Sequence, residues 1–281
     1  MSAALVEGRG PDALPVLMYG TAWKEDDTEA LVSEALRAGF RAFDTANQRK
    51  HYVEAGVGAA LARAFAAGDV SREEVFLQTK FTYARGQDHR LPYDPSAPIA
   101  AQVRQSFESS QGHLGVRFVD SLVLHGPMRA GHLHPLDEEA WSAMEALVDE
   151  GLVGALGVSN VEPAHVTELL QVARIRPRFV QNRCYADQGW DAAVRGLCAR
   201  AGIVYQGFSL LTANRPVVAG PAVREVAARH QATPAQVVFA LALQLGIWPL
   251  TGTRDPRHMR DDLAAVGLSL SGSEVQALQL A

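Results

Sequence analysis

The chain has 281 residues, of which 48% are apolar and 20% charged, and its 26 basic and 31 acidic side chains give a formal net charge of -5. These proportions are typical of soluble globular proteins and exclude disordered, collagenous and coiled-coil chains. No apolar run reaches the roughly 18 residues that a membrane span needs. Because the mild acidity leaves no basic surface for nucleic acid, small molecules are the expected partners.

The ends of the chain and its cysteines indicate the cellular setting. Residues 1–15 lack a basic segment followed by an apolar one, so we interpret them as a short tail and predict a cytoplasmic protein. Cys184 and Cys198 are too few for a disulfide framework, and no cysteine or histidine cluster suggests zinc. Without a heptad or a large apolar patch, a monomer is expected.

Eight short apolar runs recur along the chain, and segments with helical periodicity separate them. Each run is rich in Val, Leu or Phe and apolar on both faces, as a buried parallel strand should be. The runs centre near Leu17, Phe43, Phe76, Leu122, Leu156, Val180, Val204 and Leu250. This alternation predicts parallel strands joined by crossover helices.

Several helices have clear boundaries in the sequence. A helix over 27–38 is followed by a glycine that can adopt the left-handed cap conformation. Another is predicted to begin at Asp137 and to close at Gly151. The segments 233–236 and 271–274 have the spacing of capping boxes, which predicts two further helix starts.

Eight strand and helix units in a chain of this length predict an α/β protein with a (β/α)8 TIM barrel fold, as a single domain over residues 1–281. The main alternative is a doubly wound open sheet. Such a sheet would carry a G-x-G-x-x-G turn after an early strand, whereas the first strand here runs into Gly20-Thr21-Ala22-Trp23. The closed barrel is therefore favoured.

Three consecutive strands end in ionisable residues. Asp44 closes the second strand, Lys80 the third, and His125 follows the fourth. Since the active site of such a barrel lies at the carboxyl ends of its strands, these groups are predicted to meet at one rim.

Five segments taken together make the chain resemble the aldo-keto reductase family over nearly its whole length. They are Gly20-Thr21-Ala22-Trp23, Gly39 to Ala46, Phe76 to Lys80, Val119 to His125 and Leu156 to Asn160. The resemblance implies a (β/α)8 barrel that binds NADP(H), or less often NAD(H), and reduces aldehydes or ketones. Its Asp, Lys and His positions correspond to Asp44, Lys80 and His125.

The tyrosine of the family's catalytic tetrad has two candidate positions. The family pattern places it five residues after the aspartate, where this chain has Arg49. Counting back from Glu54 points to His51, and Tyr52 is the next residue. We favour Tyr52 as the proton donor, with His51 as the alternative acid.

The chemistry explains why these residue types are needed together. Hydride arriving at a carbonyl carbon leaves an alkoxide, which an acid within hydrogen-bond reach must protonate. Lowering the pKa of a phenol from about 10 to 7 requires roughly 4 kcal/mol, part of which a nearby ammonium can supply. Lys80 is expected to lower the pKa of Tyr52, Asp44 to hold Lys80, and His125 to orient the substrate oxygen.

The resemblance also implies which residues contact the cofactor. Ser159, Asn160 and Gln181 match residues that hold the nicotinamide carboxamide. Phe208 replaces an aromatic that stacks on its ring, and a phenyl face preserves that stacking. The full set at this end of the cofactor is Gly20, Thr21, Ser159, Asn160, Gln181, Phe208, Ser209 and Leu210.

The adenosine end departs from the family pattern. The usual Lys-Ser pair and later Arg, which bind the 2′-phosphate of NADP(H), correspond here to Gly252, Thr253 and His258. Arg254 and its neighbours Arg257 and Arg260 are expected to replace the missing cations, since guanidinium groups bind phosphate in bidentate fashion. We therefore assign Thr253, Arg254 and His258 to this end and predict NADP(H), with NAD(H) as the alternative.

The remaining expectations concern substrate and rival functions. Trp23, Tyr83 and Tyr93 are predicted to line the substrate mouth. A catalytically impaired barrel that binds a dinucleotide for regulation is one alternative function. A lyase or isomerase that uses Lys80 as a Schiff-base nucleophile is a weaker one, because Asp44 would keep that amine protonated.

Overall fold

A computed structural model describes residues 14–281 of the chain. Eight parallel strands, β1 to β8 in chain order, pair in sequence, and β8 pairs back to β1 to close a barrel. The strands are Met18–Gly20, Ala42–Asp44, Phe76–Phe81, Val119–Leu124, Val153–Ser159, Phe179–Arg183, Val204–Phe208 and Ile247–Thr251. The predicted (β/α)8 TIM barrel is confirmed. The amino-terminal tail inferred from sequence lies almost entirely at residues 1–13, outside the described residues.

Helices connect the strands on the outside of the barrel. In chain order, α1 to α11 are Thr28–Ala38, Glu54–Ala67, Ile99–Leu114, Pro135–Asp149, Pro163–Val172, Ala192–Ala201, Arg215–Val218, Pro221–His230, Pro234–Gln244, Pro256–Ala264 and Gly272–Gln279. None of the helices between residues 14 and 281 combines the length and the apolar character needed to cross a bilayer.

The predicted helix boundaries are correct in three places and wrong in one. Gly39 ends α1 with φ at 112°, a left-handed conformation that glycine adopts without strain. The two capping boxes that begin α9 and α11 are both present. The helix predicted from Asp137 begins two residues earlier, because Asp137 is the third residue of a capping box whose cap is His134. Its carboxylate accepts a hydrogen bond from the His134 backbone N–H at 3.0 Å.

A cluster of three aromatic rings fills the barrel interior below the strand ends. The Trp248 ring centre lies 5.1 Å from that of Phe76 and 5.9 Å from that of Phe179, and the two phenyl rings are 5.6 Å apart. Trp248 is fully buried. Since this layer closes the barrel, polar residues nearer the carboxyl ends of the strands are left to form the floor of any cleft.

Replacing Trp248 with alanine should lower the free energy of unfolding by about 3–5 kcal/mol, because the lost ring leaves a cavity that the rigid strands cannot fill. Urea denaturation measures this. Trp23→Ala is the matched control: its ring is 63% exposed, so a change within about 0.5 kcal/mol is expected. Equal losses in the two variants would contradict the proposed importance of the aromatic layer.

Candidate active site

A buried ion pair joins the ends of β2 and β3. The ammonium of Lys80 donates to both carboxylate oxygens of Asp44, at 2.7 and 2.6 Å, and to the Thr45 carbonyl oxygen at 2.9 Å. These three bonds use all three N–H groups of the lysine. Burial lowers the pKa of Lys80, while the Asp44 carboxylate acts in the opposite direction.

The Asp44 carboxylate is held in turn by a network of amides that sequence reasoning missed. Its Oδ1 accepts hydrogen bonds from Gln78 at 2.7 Å and from Gln181 at 3.0 Å. Gln206 accepts from both of these glutamines at 2.9 Å and donates back to Gln78 at 3.0 Å. Gln78 and Gln206 could have been noticed in the sequence, because each is a polar residue within an otherwise mainly apolar strand.

Thr21 lies behind this pair rather than on an open surface. Its side chain is fully buried, and its hydroxyl donates to the Asp44 carbonyl oxygen at 2.9 Å. Its backbone N–H donates to the same oxygen at 3.0 Å. Thr21 therefore fastens β1 to the end of β2 and does not line the cleft described below.

Tyr52 lies just before α2, next to the ion pair. The Lys80 nitrogen is 5.2 Å from the centre of its ring, and the His125 ring centre is 6.0 Å away. Burial and the nearby Asp44 carboxylate raise the pKa of Tyr52. This direction is opposite to the one expected from sequence, because burial, reinforced by the Asp44 carboxylate, disfavours the charged phenolate. The phenol is therefore protonated at neutral pH.

His51 has different surroundings. Its Nδ1 is 2.9 Å from the side-chain oxygen of Gln48, and its ring stacks 3.9 Å from that of Trp23. Burial and the charge of Lys50 lower its pKa. His51 thus borders the mouth of the cleft, while Tyr52 lies beside Lys80 of the ion pair and beside His125.

His125 is fixed at the end of β4 by two contacts. Its Nδ1 is 2.7 Å from the Thr82 hydroxyl, and its carbonyl oxygen accepts from the Asn160 side chain at 2.7 Å. Burial, together with the positive charge of Lys80, holds the pKa of His125 well below its usual value. A neutral ring that accepts the Thr82 proton at Nδ1 carries its own proton on Nε2.

A cleft of about 1050 Å³ opens above these groups at the carboxyl ends of the strands. Asp44, Tyr52 and His125 line it, whereas Lys80 lies beneath the surface. Nine of the residues assigned to the cofactor line it as well: Gly20, Ser159, Asn160, Gln181, Phe208, Ser209, Leu210, Thr253 and Arg254. This volume lies just above the usual range of about 300–1,000 Å³ for small-molecule pockets, so the cleft is large enough for an extended ligand.

The carboxamide candidates form a fixed polar edge on β5 and β6. Asn160 has φ at 57°, and its side chain donates to the Ser159 hydroxyl at 3.0 Å as well as to His125. Gln181 reaches both the cleft and Asp44. The Arg183 guanidinium at the end of β6 lies 5.6 Å from the centre of the Phe208 ring at the end of β7, and both residues line the cleft.

The basic residues expected at the adenosine end differ in their ion pairs and in whether they line the cleft. Arg254 lines the cleft and pairs with Asp27, while Arg257 pairs with Asp255 at 2.8 Å. His258 is exposed on α10 and is not part of the cleft wall. Lys24, which sequence reasoning did not single out, is buried and lines the same region.

Two of the three aromatic residues expected at the mouth line the cleft, and the third does not. Trp23 and Tyr83 line the cleft, although the Tyr83 hydroxyl is engaged by Asp137 at 2.8 Å. Tyr93 is not part of the cleft wall: it packs on Phe81, with ring centres 5.7 Å apart, and donates to the Thr82 carbonyl oxygen at 2.7 Å.

The low pKa of His125 leads to a prediction for NMR. Its ring signals, assigned by their loss in His125→Gln, should stay constant from pH 8 to pH 5 because the ring remains neutral. His132, whose pKa is raised by its exposed contact with Glu168, should titrate above its usual value and serves as the internal control. A His125 signal that titrates near pH 6.5 would contradict the prediction.

Comparison with known proteins places this arrangement in a family. The family model described as "Aldo/keto reductase family" matches residues 17–280. A probable NAD(P)H-dependent D-xylose reductase of Emericella nidulans is 29% identical, with 94% of this chain and 89% of the relative aligned. An aldo-keto reductase of Mycolicibacterium smegmatis is 30% identical, with 90% and 84% aligned.

Solved structures of similar fold support the same family assignment. The aldose reductase of Schistosoma japonicum superposes with a TM-score of 0.79 at 25% identity, covering 95% of this chain and 88% of that one. An aldo-keto reductase of Bombyx mori in complex with NADP has the same fold, with a TM-score of 0.79 at 21% identity, and the match covers 95% and 89% of the two chains. With a family model that spans 17–280 and a barrel of the same topology, the chain belongs to the aldo/keto reductase family.

Proposed function

We propose that this protein reduces an aldehyde or ketone to an alcohol, with NADP(H) as cofactor and NAD(H) as the alternative. The observation that carries the proposal is the grouping of a protonated Tyr52, a neutral His125 and the buried Asp44–Lys80 pair at the wall of one large cleft. The name of the Emericella nidulans relative, an NAD(P)H-dependent D-xylose reductase, is consistent with this chemistry.

The donor set of the cleft fits a dinucleotide. Ser159, Asn160 and Gln181 present hydroxyl and amide groups suited to a carboxamide, and Phe208 offers a ring face for stacking. Ser209 and Leu210 follow at the end of β7, and Gly20 lies at the end of β1 in the same wall. When bound there, the reduced nicotinamide supplies the hydride.

Tyr52 is the proposed proton donor. An acid must hold its proton until charge develops on the substrate oxygen, and the raised pKa of Tyr52 ensures that it does so at neutral pH. The Lys80 ammonium, 5.2 Å from the ring centre, stabilises the phenolate that remains after transfer. His125 is proposed to donate from Nε2 to the same oxygen and so to fix its position.

Lys80 is poorly suited to the alternative role of Schiff-base nucleophile. It is 1% exposed, and its three N–H groups are engaged by Asp44 and Thr45. Attack on a carbonyl requires a neutral and accessible amine. We therefore propose that Lys80 acts through its charge. The proposal also includes a monomer in the cytoplasm that acts on small carbonyl compounds and not on nucleic acid or membranes.

The proposed activity is tested by following the absorbance of NADPH and NADH with 4-nitrobenzaldehyde and D-xylose as carbonyl substrates. Oxidation of either cofactor that depends on the carbonyl is expected. Tight cofactor binding without turnover on a wider panel of carbonyls would refute the reductase and favour the regulatory barrel.

Tyr52→Phe should lower kcat by about 10²–10⁴-fold because it removes the proton donor. Cofactor affinity should change little. His51→Gln should reduce kcat less than tenfold, since His51 borders the mouth. Tyr205→Phe, which removes a phenol that donates to Asp191 and does not line the cleft, is the matched control and should leave kcat nearly unchanged. If His51→Gln loses activity and Tyr52→Phe retains it, the assignment of the donor is wrong.

Lys80→Met should lower kcat by several orders of magnitude, because the phenolate loses its nearby positive charge. The single variant leaves Asp44 buried without its partner, so a fall in melting temperature is expected as well. The double variant Lys80→Met, Asp44→Asn removes both charges and should recover stability without recovering activity. Activity near normal in either variant would contradict the role of Lys80.

A further inference from the structure

Glu54 is a buried carboxylate that the proposed mechanism does not use. It is the first residue of α2, two residues after Tyr52, and only 4% of its surface is exposed. Its oxygens accept hydrogen bonds from the hydroxyl of Thr79, on β3, and from that of Ser110, on α3, the latter at 3.1 Å. The Nδ1 of His113, also on α3, lies 3.2 Å from its Oε2.

These contacts lead away from the helix that Glu54 begins. Val53, which precedes α2, gives the helix no side-chain cap. A glutamate in the first turn of a helix ordinarily stays in solvent and stabilises the helix through its charge. Here burial removes the carboxylate from water, and the contacts with β3 and α3 compensate that cost. The carboxylate therefore joins the start of α2 to two neighbouring elements.

The contact with Thr79 brings Glu54 close to the buried ion pair in the structure. Side chains alternate across a strand, so Thr79 points to the opposite face of β3 from its neighbour Lys80. Burial lowers the pKa of Lys80, and the charges of Asp44 and Glu54 act in the opposite direction. Glu54 thus meets β3 at the residue next to Lys80 and also favours the charged form of that lysine.

Tyr52 is bordered by two open spaces. It lines the large cleft and also a second cavity of about 280 Å³, which Glu54 and His113 line as well. Packed side chains therefore surround the phenol incompletely, and its position depends on how the backbone around it is held. On one side the Tyr52 N–H donates to the Gln48 carbonyl oxygen at 3.0 Å. On the other side the chain reaches Glu54 and its contact with β3.

We propose that Glu54 is a positioning residue for carbonyl reduction. By tying the segment that carries Tyr52 to β3 beside Lys80, it holds the phenol where the substrate oxygen must receive a proton. The inference rests on the proposed function, because Tyr52 is the proton donor of that function.

The first test compares two buried glutamates. Glu54→Gln keeps the volume but loses the charge and one acceptor oxygen. With 4-nitrobenzaldehyde and NADPH, kcat should fall about 10- to 100-fold, the effect of a displaced catalytic group, while the affinity for NADPH changes little. Glu274→Gln is the matched control: Glu274 is buried in the first turn of α11, 3.0 Å from His230 and outside the cleft wall. Its kcat should stay near normal.

A milder pair of variants tests the contact with β3 without removing the charge. Thr79→Val deletes the hydroxyl that donates to Glu54 and should lower kcat, whereas Thr79→Ser keeps a hydroxyl and should restore it. Normal kcat in both Thr79→Val and Glu54→Gln would overturn the proposal.

A double-mutant cycle separates positioning from a general weakening of the fold. Tyr52→Phe removes the group that Glu54 is proposed to position, so Glu54→Gln should lower kcat far less in that background than in the unaltered protein. A loss of stability alone would lower kcat by the same factor in both backgrounds. Equal factors would therefore contradict the positioning role.

Amide hydrogen exchange tests the tie in the free protein, without turnover. The amides of residues 49–56 should exchange faster in Glu54→Gln than in the unaltered protein, and they should be unchanged in Glu274→Gln. Unchanged exchange in Glu54→Gln would overturn the proposal.

The outcomes also distinguish this inference from the proposed function. If the unaltered protein reduces carbonyls and Glu54→Gln does so equally well, only the role of Glu54 is refuted. If the unaltered protein oxidises neither NADPH nor NADH with any carbonyl, the reductase proposal fails, and the role of Glu54 in it fails too.

Discussion

The ion pair between Lys80 and Asp44 is the interaction on which the candidate site depends. Two charges taken out of water are stabilised only where geometry and further hydrogen bonds compensate their lost solvation. Here the ammonium has three acceptors, and the carboxylate receives two additional amide donors from Gln78 and Gln181. The network with Gln206 spans the barrel from β3 to β7, so the charged pair and the polar edge of the cleft form one connected unit.

This arrangement divides the cleft electrostatically. Near the ion pair, Tyr52 and His125 face the cleft in neutral form at pH 7, because burial and the Asp44 carboxylate raise the pKa of Tyr52 and burial lowers that of His125. A protonated phenol beside a neutral imidazole suits proton donation to an oxygen that gains charge. At another part of the wall, the cleft is lined by the basic side chains of Lys24 and Arg254. One cleft thus combines the proposed proton donor with a separate basic region.

Much of this could be predicted from local sequence. Eight strands were found because buried parallel strands are continuous apolar runs, although Leu17 lies one residue before β1 and Phe76 is the first residue of β3. The polar residues that end the strands shift the apolar centre of each run toward its start. Asp44 and Lys80 were identified by their places at strand ends, and the barrel closure then brought them into contact. Helix starts were correct where a capping box was read from its cap.

Other features were decided by the tertiary structure alone. The family resemblance implied that an acid would lie beside Asp44 and Lys80, but only the folded loop places Tyr52 next to the pair and His51 against Trp23. The direction of the Tyr52 pKa shift depends on burial and on the nearby Asp44 carboxylate, and spacing along the chain does not reveal how deeply the phenol is buried. Lys24 escaped notice for the same reason: its burial depends on what surrounds it in space, and the Gly252 carbonyl oxygen that accepts its hydrogen bond is more than two hundred residues away in sequence.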